Sequence, residues 1–222
     1  MSQITQERPD IEAPSLADLG VDTTRPLLLV DVDEVLCLFI KGFIDFLHEA
    51  GLEMRLQRFA LLQNIYRPGA VDPVELKEAV DQYHRFYREH CGELELVPGA
   101  FAALKALSRR NSIVILTNAP ADALDLRTQW LRKNGLHYPL VVNEGLKGPI
   151  AAKLVAQTET RSAFVDDLLM HLDSVAEHSP RTATFQHVAD ERLRAIAPSS
   201  ERHVRIDDWP RLAAVIEETL QA

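Results

Sequence analysis

The hydrophobic pattern changes character twice along the chain. Pro26-Leu27-Leu28-Leu29-Val30 is a short apolar run without polar interruption, as expected of a parallel strand buried on both faces. Leu36, Phe39, Ile40, Phe43, Ile44 and Leu47 then fall at helical spacing, and Gly51 stops that helix. A second helix is predicted from about Met54 to Tyr66, where Arg67-Pro68-Gly69 breaks it. A third opens at Asp72-Pro73, carries Leu76, Val80, Tyr83 and Tyr87 on one stripe, and ends at Cys91-Gly92. Residues 38–96 thus read as helical with no strand among them.

Beyond Pro98-Gly99 short apolar runs alternate with helical patterns. Helices are predicted over 101–109, 120–134, 149–157, 168–177, 189–196 and 209–220, and strands over 112–116, 140–142, 163–165, 182–185 and 204–206. Such alternation implies an α/β, Rossmann-like fold: a mainly parallel sheet with helices on both faces. The all-helical piece is then a small cap inserted after the first strand. The expected division is a flexible N-terminal arm over 1–22, a core of 23–37 and 97–222, and a helical cap over 38–96. No internal repeat or low-complexity segment is present.

Composition narrows the classes. The chain has 222 residues, 46% hydrophobic and 26% charged, which is ordinary for a globular protein with one sizeable core. A formal charge of −9 argues against binding a nucleic acid polymer, which needs clustered cations, but not against a small anionic substrate. Cys37 and Cys91 match no metal spacing and read as free thiols. The N-terminus lacks the apolar stretch of a signal peptide, and no window approaches the about 18 apolar residues of a membrane span. A cytoplasmic location is expected.

Candidate chemistry sits where predicted strands end. Asp31 and Asp33 close the first apolar run two residues apart, so in an extended chain their side chains leave the same side. Like charges held that close suit a bound cation or a reacting group between them. The second acidic cluster, Asp166-Asp167, repeats the design after Ser162-Ala163-Phe164-Val165. Thr117-Asn118 and Lys147 fall at two further strand ends or helix starts, and ligands of open parallel sheets bind outside the carboxyl ends of the strands. Around one phosphate, Asp31 and Asp167 would supply oxygen ligands to Mg2+ with Asp166 close behind, Thr117 a hydroxyl, and Lys147 a positive charge. The helix start at Ala119-Pro120 would add backbone N–H groups. Lys153 competes with Lys147 for the phosphate but sits one to two turns into the next helix.

The order Asp31-Val32-Asp33-Glu34-Val35, Ile115-Leu116-Thr117-Asn118, Lys147-Gly148-Pro149, Phe164-Val165-Asp166-Asp167 resembles the haloacid dehalogenase superfamily of phosphatases and phosphotransferases. The resemblance covers nearly everything after the arm, and residues 38–96 look like that family's cap. It implies a Mg2+-dependent phosphatase hydrolysing a small phosphorylated metabolite through an aspartyl-phosphate intermediate, nucleotidase-like or directed at a sugar phosphate. By the same resemblance Asp31 is nucleophile and metal ligand, and Asp33 is general acid/base, offering its backbone carbonyl to the metal. Thr117, Asn118 and Lys147 bind the phosphoryl group, and Asp166 and Asp167 complete the metal site. Two positions depart from the family pattern: Glu34 stands where glycine is usual, and His171 where an Asp or Asn is common.

Four other readings compete. A dehalogenase proper expels halide and needs no acid at position 33; a phosphomutase keeps the same residues and differs in the acceptor. A receiver domain orders its acids differently and lacks a long insertion. A catalytically idle phospho-ligand-binding protein would not need Asp31, Asp33, Thr117 and Asp167 together. Elsewhere, the insertion's Phe39, Phe43, Phe46, Tyr66, Tyr83, Phe86 and Tyr87 read as cap core. Arg55, Arg58, Arg67, Arg85 and Arg88 read mostly as a solvated face, with Arg58 or Arg85 offered as contacts for an anionic substrate.

Overall fold

A computed structural model describes residues 12–222. Its main sheet has six strands: β1 (Leu27–Val30), β4 (Ser112–Thr117), β5 (Leu140–Val142), β6 (Ser162–Asp166), β7 (Thr182–Gln186) and β8 (Val204–Arg205). They lie in the order β5-β4-β1-β6-β7-β8, and every pairing is parallel. The chain builds one side from β1 through β4 to β5, then returns to place β6 on β1's other flank. That reversal leaves a crevice at the carboxyl ends of β1, β4 and β6.

Side chains alternate across the sheet with the period of two that a strand imposes. Leu28, Val30, Ile113, Ile115, Ala163 and Val165 join one core cluster, while Leu27, Leu29, Val114, Leu116 and Phe164 join another. The first is covered by α3 (Ala100–Leu107), α4 (Leu124–Lys133) and α8 (Trp209–Gln221); the second by α5 (Gly148–Val155) and α6 (Leu169–His178). The short α7 (Glu191–Arg194) follows β7. Of the arm expected over 1–22, residues 1–11 lie outside the described residues. The rest is docked: Leu16 is buried in the second cluster, and its N–H donates to Gln157 Oε1 at 2.7 Å.

The insertion is mainly, not wholly, helical. Helices α1 (Phe39–Glu49) and α2 (Leu76–His90) form as expected, but Met54–Tyr66 is not a helix. Glu53–Met54 (β2) pairs antiparallel with Ile65–Tyr66 (β3), and a 3-10 turn over Leu62–Asn64 precedes β3. Buried Asn64 makes this path possible: its Nδ2 donates to the carbonyls of Arg58 and Ala60, satisfying backbone groups that a helix would have paired internally. Leu76, expected on the buried stripe of α2, is 61% exposed, and the buried face instead uses Ala79, Phe86 and Tyr87.

The two crossings between insertion and sheet lie side by side. Leu38 N–H donates to Glu95 O, and Val97 N–H to Leu36 O. One hydrophobic cluster runs through both parts, and Phe39, Phe43, Phe46, Phe86 and Tyr87 belong to it as expected. Cys37 and Cys91 are free and buried.

A close approach of α5 to α6 sets the position of the residue before it. A Cβ on Gly148 would lie 2.3 Å from Ser174 O, and the Gly148 N–H donates to Ser174 Oγ. Gly148→Ala should destabilise the fold by about 1–3 kcal/mol, because backbone of α6 must yield. Urea denaturation with an unchanged m-value checks it; a change under about 0.5 kcal/mol would contradict the tight-packing reading.

Candidate active site

Three strand ends deliver the acids and the hydroxyl. β1 continues through the Asp31 N–H, which donates to Val165 O at 3.0 Å, so Asp31 stands beside the end of β6 and its Asp166-Asp167 pair. Carboxylate oxygens of Asp31, Asp166 and Asp167 lie within 4.8 Å of one another, and all three residues are buried. Lys147, 1% exposed at the start of α5, bridges two of them, with Nζ 2.6 Å from Asp31 Oδ1 and 2.7 Å from Asp166 Oδ2. Lys147 therefore reaches the acids, as expected from the sequence.

Burial dominates the electrostatics. It raises the Asp31 carboxyl to about 7 against the pull of Lys147, with Asp166 and Asp33 adding to the rise. Burial likewise raises Asp166, and raises Asp167 strongly with help from Asp166 and Asp31. On Lys147 burial works the other way, but the carboxylates of Asp166 and Asp31 outweigh it and hold the ammonium charged. Three buried acids against one ammonium form an oxygen-only donor set, which suits a hard divalent cation.

Thr117, at the end of β4, is fully buried, and its Oγ1 has no hydrogen-bond partner among the described residues. A buried hydroxyl left in that state is suited to a ligand oxygen. The Asn118 side chain is otherwise engaged, donating to Gly145 O and accepting from Asn143 Nδ2. It braces two loops and also lines the cleft. The turn after Pro120 is a short 3-10 segment, Ala121–Ala123, and none of its residues lines the cleft.

Asp31, Asp33, Asn118, Lys147, Asp167 and His171 form one side of a cleft of about 200 Å3. The facing side is supplied largely by the insertion: Phe39, Ile40, Phe59, Ala60, Leu61, Tyr83 and Tyr87. No arginine or lysine of the insertion lines it. Arg55, Arg67 and Arg85 pair with Glu53, Glu78 and Glu89, so Arg85 is a surface residue, and Arg58 is likewise absent from the cleft.

The two departures noted in the sequence take defined places. Glu34 has φ 59°, the left-handed region where glycine is favoured, yet its side chain is buried and doubly bonded. Oε1 accepts the Ile40 N–H at the start of α1, and Oε2 accepts the Asp190 N–H just before α7. It thus clamps the insertion to the sheet-bearing part. His171 is buried beside Lys147 and lines the cleft; burial, then Lys147, lowers its pKa to about 4, so a neutral imidazole replaces a carboxylate there.

Sequence reasoning passed over Arg127. Its guanidinium is fully buried, and Nη2 lies 2.6 Å from Asp33 Oδ1. The signal was available: Ala123, Arg127, Trp130 and Leu131 share one face of the 121–133 segment, which puts an arginine on an apolar stripe. Tyr87, read only as core, also donates its hydroxyl to Asp33 Oδ2.

The fold is the one shared by hydrolases of the haloacid dehalogenase type. The model of the family described as 5′ nucleotidase, deoxy (pyrimidine), cytosolic type C protein matches residues 25–153, more than half of the chain, and the chain belongs to that family. The protein is accordingly a phosphatase acting on phosphomonoesters. The matched stretch contains Asp31, Asp33, Thr117 and Lys147, while Asp166 and Asp167 lie beyond it. Among solved structures, the chain is similar to the magnesium-bound HAD-hydrolase YfnB of Bacillus subtilis, at 14% identity and a TM-score of 0.60, covering 87% of this chain and 99% of that one. A haloacid dehalogenase-like hydrolase from Streptococcus pneumoniae gives 14% identity and a TM-score of 0.61 over 88% and 100% of the two chains. A haloacid dehalogenase-like protein of Agrobacterium tumefaciens gives 20% and 0.58 over 87% and 98%. These likenesses show the fold. No curated protein sequence matches the chain. No helix among the described residues is long and apolar enough to cross a membrane.

Burial raises the Glu34 carboxyl to about 7 from an ordinary 4.5, against the pull of its two N–H donors. In the window between those values the folded state holds more protons than the unfolded one. Glu34's contribution to stability is therefore fully present below about pH 4.5 and lost as pH rises through about 7. Thermal melts of wild type and Glu34→Gln in chelator, from pH 4.5 to 7.5, should show the wild type losing stability more steeply. Parallel curves would contradict the assignment.

Proposed function

We propose that the protein is a Mg2+-dependent phosphatase in which Asp31 attacks phosphorus and Asp33 is the acid and base. The observation that carries this reading is the buried cluster of Asp31, Asp166 and Asp167, bridged by Lys147 and open to a cleft. Asp31, Asp166 and Asp167, with the Asp33 backbone carbonyl, would hold the ion. Bound Mg2+ would supply the positive charge that offsets burial of these carboxylates and attracts phosphate oxygens. The Asp31 carboxylate forms a bond to phosphorus as the ester P–O bond breaks, and the ester oxygen takes the Asp33 proton. Asp33 then accepts a proton from water, whose oxygen displaces Asp31 and releases phosphate. Thr117 Oγ1, left without a partner, receives a phosphoryl oxygen. Lys147 offers its charge to the same group.

Residues 38–96 act as a cap that selects the leaving group, since the core acids address only phosphate and metal. The cap side of the cleft is apolar and aromatic and carries no cation. A hydroxyl-rich sugar would leave its polar groups unmatched on Phe39, Ile40, Phe59 and Leu61. A nucleoside, which offers a flat uncharged base, fits this wall, so a nucleoside monophosphate is the substrate class favoured over a sugar phosphate.

Asp31→Asn should lower phosphate release from an aryl phosphate or a nucleoside monophosphate by at least about 10^3-fold, with the melting temperature little changed. Wild-type activity should require millimolar Mg2+ and vanish in chelator. Near-wild-type turnover by a stably folded Asp31→Asn protein would rule out the covalent route. Equal rates in chelator and in Mg2+ would rule out the metal.

A further inference from the structure

Asp33 is held from two sides. Arg127, from α4 in the sheet-bearing part, binds Oδ1 at 2.6 Å, and Tyr87, from α2 in the insertion, donates to Oδ2. The Cys37 thiol also donates to Oδ1, at 3.4 Å. Arg127 is wholly buried, although Asp33, its ion-pair partner, keeps a side chain 21% exposed toward the cleft. Burial acts against the guanidinium charge, and the pairing with Asp33 outweighs it. The guanidinium carbon also lies 5.5 Å from the centre of the Tyr87 ring, and Arg127 Nε has no partner among the described residues. A buried ion pair of this kind contributes little net stability compared with apolar residues of similar volume. Its arrangement is better explained by what it does to Asp33.

We propose that Arg127 and Tyr87 are positioning residues that present Asp33 to the ester oxygen of the substrate, and that this geometry is complete only with α2 seated on the core. The proposal rests on the acid/base role of Asp33. As phosphorus bonds to Asp31, the electron pair of the breaking P–O bond moves to the ester oxygen, which takes the proton from Asp33. Negative charge appears on Asp33 at that moment, and the Arg127 and Tyr87 donors, already in place on its two oxygens, both then face an anion. Because one donor comes from the insertion and the other from the sheet-bearing part, both must be in place for the acid to be held. The contribution should matter most when the leaving oxygen is basic and least when the leaving group departs unprotonated.

The test compares single-turnover release of phenol from phenyl phosphate with that of 4-nitrophenolate from 4-nitrophenyl phosphate. The two probes are close in shape and differ mainly in leaving-group basicity, so a general packing defect slows both alike. Tyr87→Phe keeps the ring and its packing, and Arg127→Lys keeps the charge but loses the fixed fork. Each should lower the phenyl rate about tenfold more than the 4-nitrophenyl rate, with Asp33→Asn giving a larger discrimination of the same sign. An unchanged ratio in both Tyr87→Phe and Arg127→Lys, alongside a changed ratio in Asp33→Asn, would overturn the positioning role and leave Asp33 as the acid. An unchanged ratio in Asp33→Asn would overturn the acid role itself and this inference with it.

Discussion

Everything at the carboxyl end of the sheet depends on keeping three carboxylates buried together. Asp31, Asp166 and Asp167 repel one another in a place that water does not relieve, and burial raises all three above the ordinary carboxylate range. Lys147 compensates one charge, and it reaches two of the acids only because Gly148 lets α5 lie against Ser174. The remaining excess of negative charge makes the site receptive to a divalent cation and, through it, to a phosphate. The parallel register of β1 with β6 brings Asp31 level with Asp166, and Thr117 ends β4 one residue further along, so the gathering of these residues follows from strand pairing before any loop is considered.

The insertion is joined to this site by polar contacts as well as by apolar packing. Glu34 bonds the start of α1 and the residue before α7 through its two carboxylate oxygens. Trp130 Nε1 donates to Leu94 O, and Trp209 Nε1 to Val35 O, so two buried indoles secure the returning crossing and the loop after β1. Asp33 lies between the parts, bonded to each. A positive φ at Glu34, costly for a residue with a Cβ, is retained where the side chain gains two buried N–H partners.

Much of the sheet-bearing part was legible because its signals are local. Runs such as Leu27–Val30 and Ser162–Asp166 are short, apolar and ended by acids, and buried parallel strands require that pattern. The segment from Met54 to Tyr66 was not legible in the same way. Its Leu56, Phe59, Leu61 and Leu62 meet the main cluster from an irregular path that Asn64 holds through two backbone carbonyls. A polar residue serving distant carbonyls leaves no periodic trace. At the site, the gathering of Asp31, Lys147, Asp166 and Asp167 was readable from their order along the chain. The bonds of Asn118 to Gly145 and Asn143, and those of Glu34 to Ile40 and Asp190, were not legible, because their partners are brought up by the fold and not by local pattern. Arg127 was readable in principle as a cation on an apolar stripe, but its partner Asp33 lies 94 residues upstream.

A crystal structure grown with Mg2+ and trifluoroberyllate, a mimic of a transferred phosphoryl group, bears most directly on the proposed chemistry. Beryllium bonded to an Asp31 oxygen is the expected result, with a fluoride near Thr117 Oγ1 and the ion held between Asp31 and the Asp166-Asp167 pair. Trifluoroberyllate bound away from Asp31, or an ion held by other residues, would contradict it.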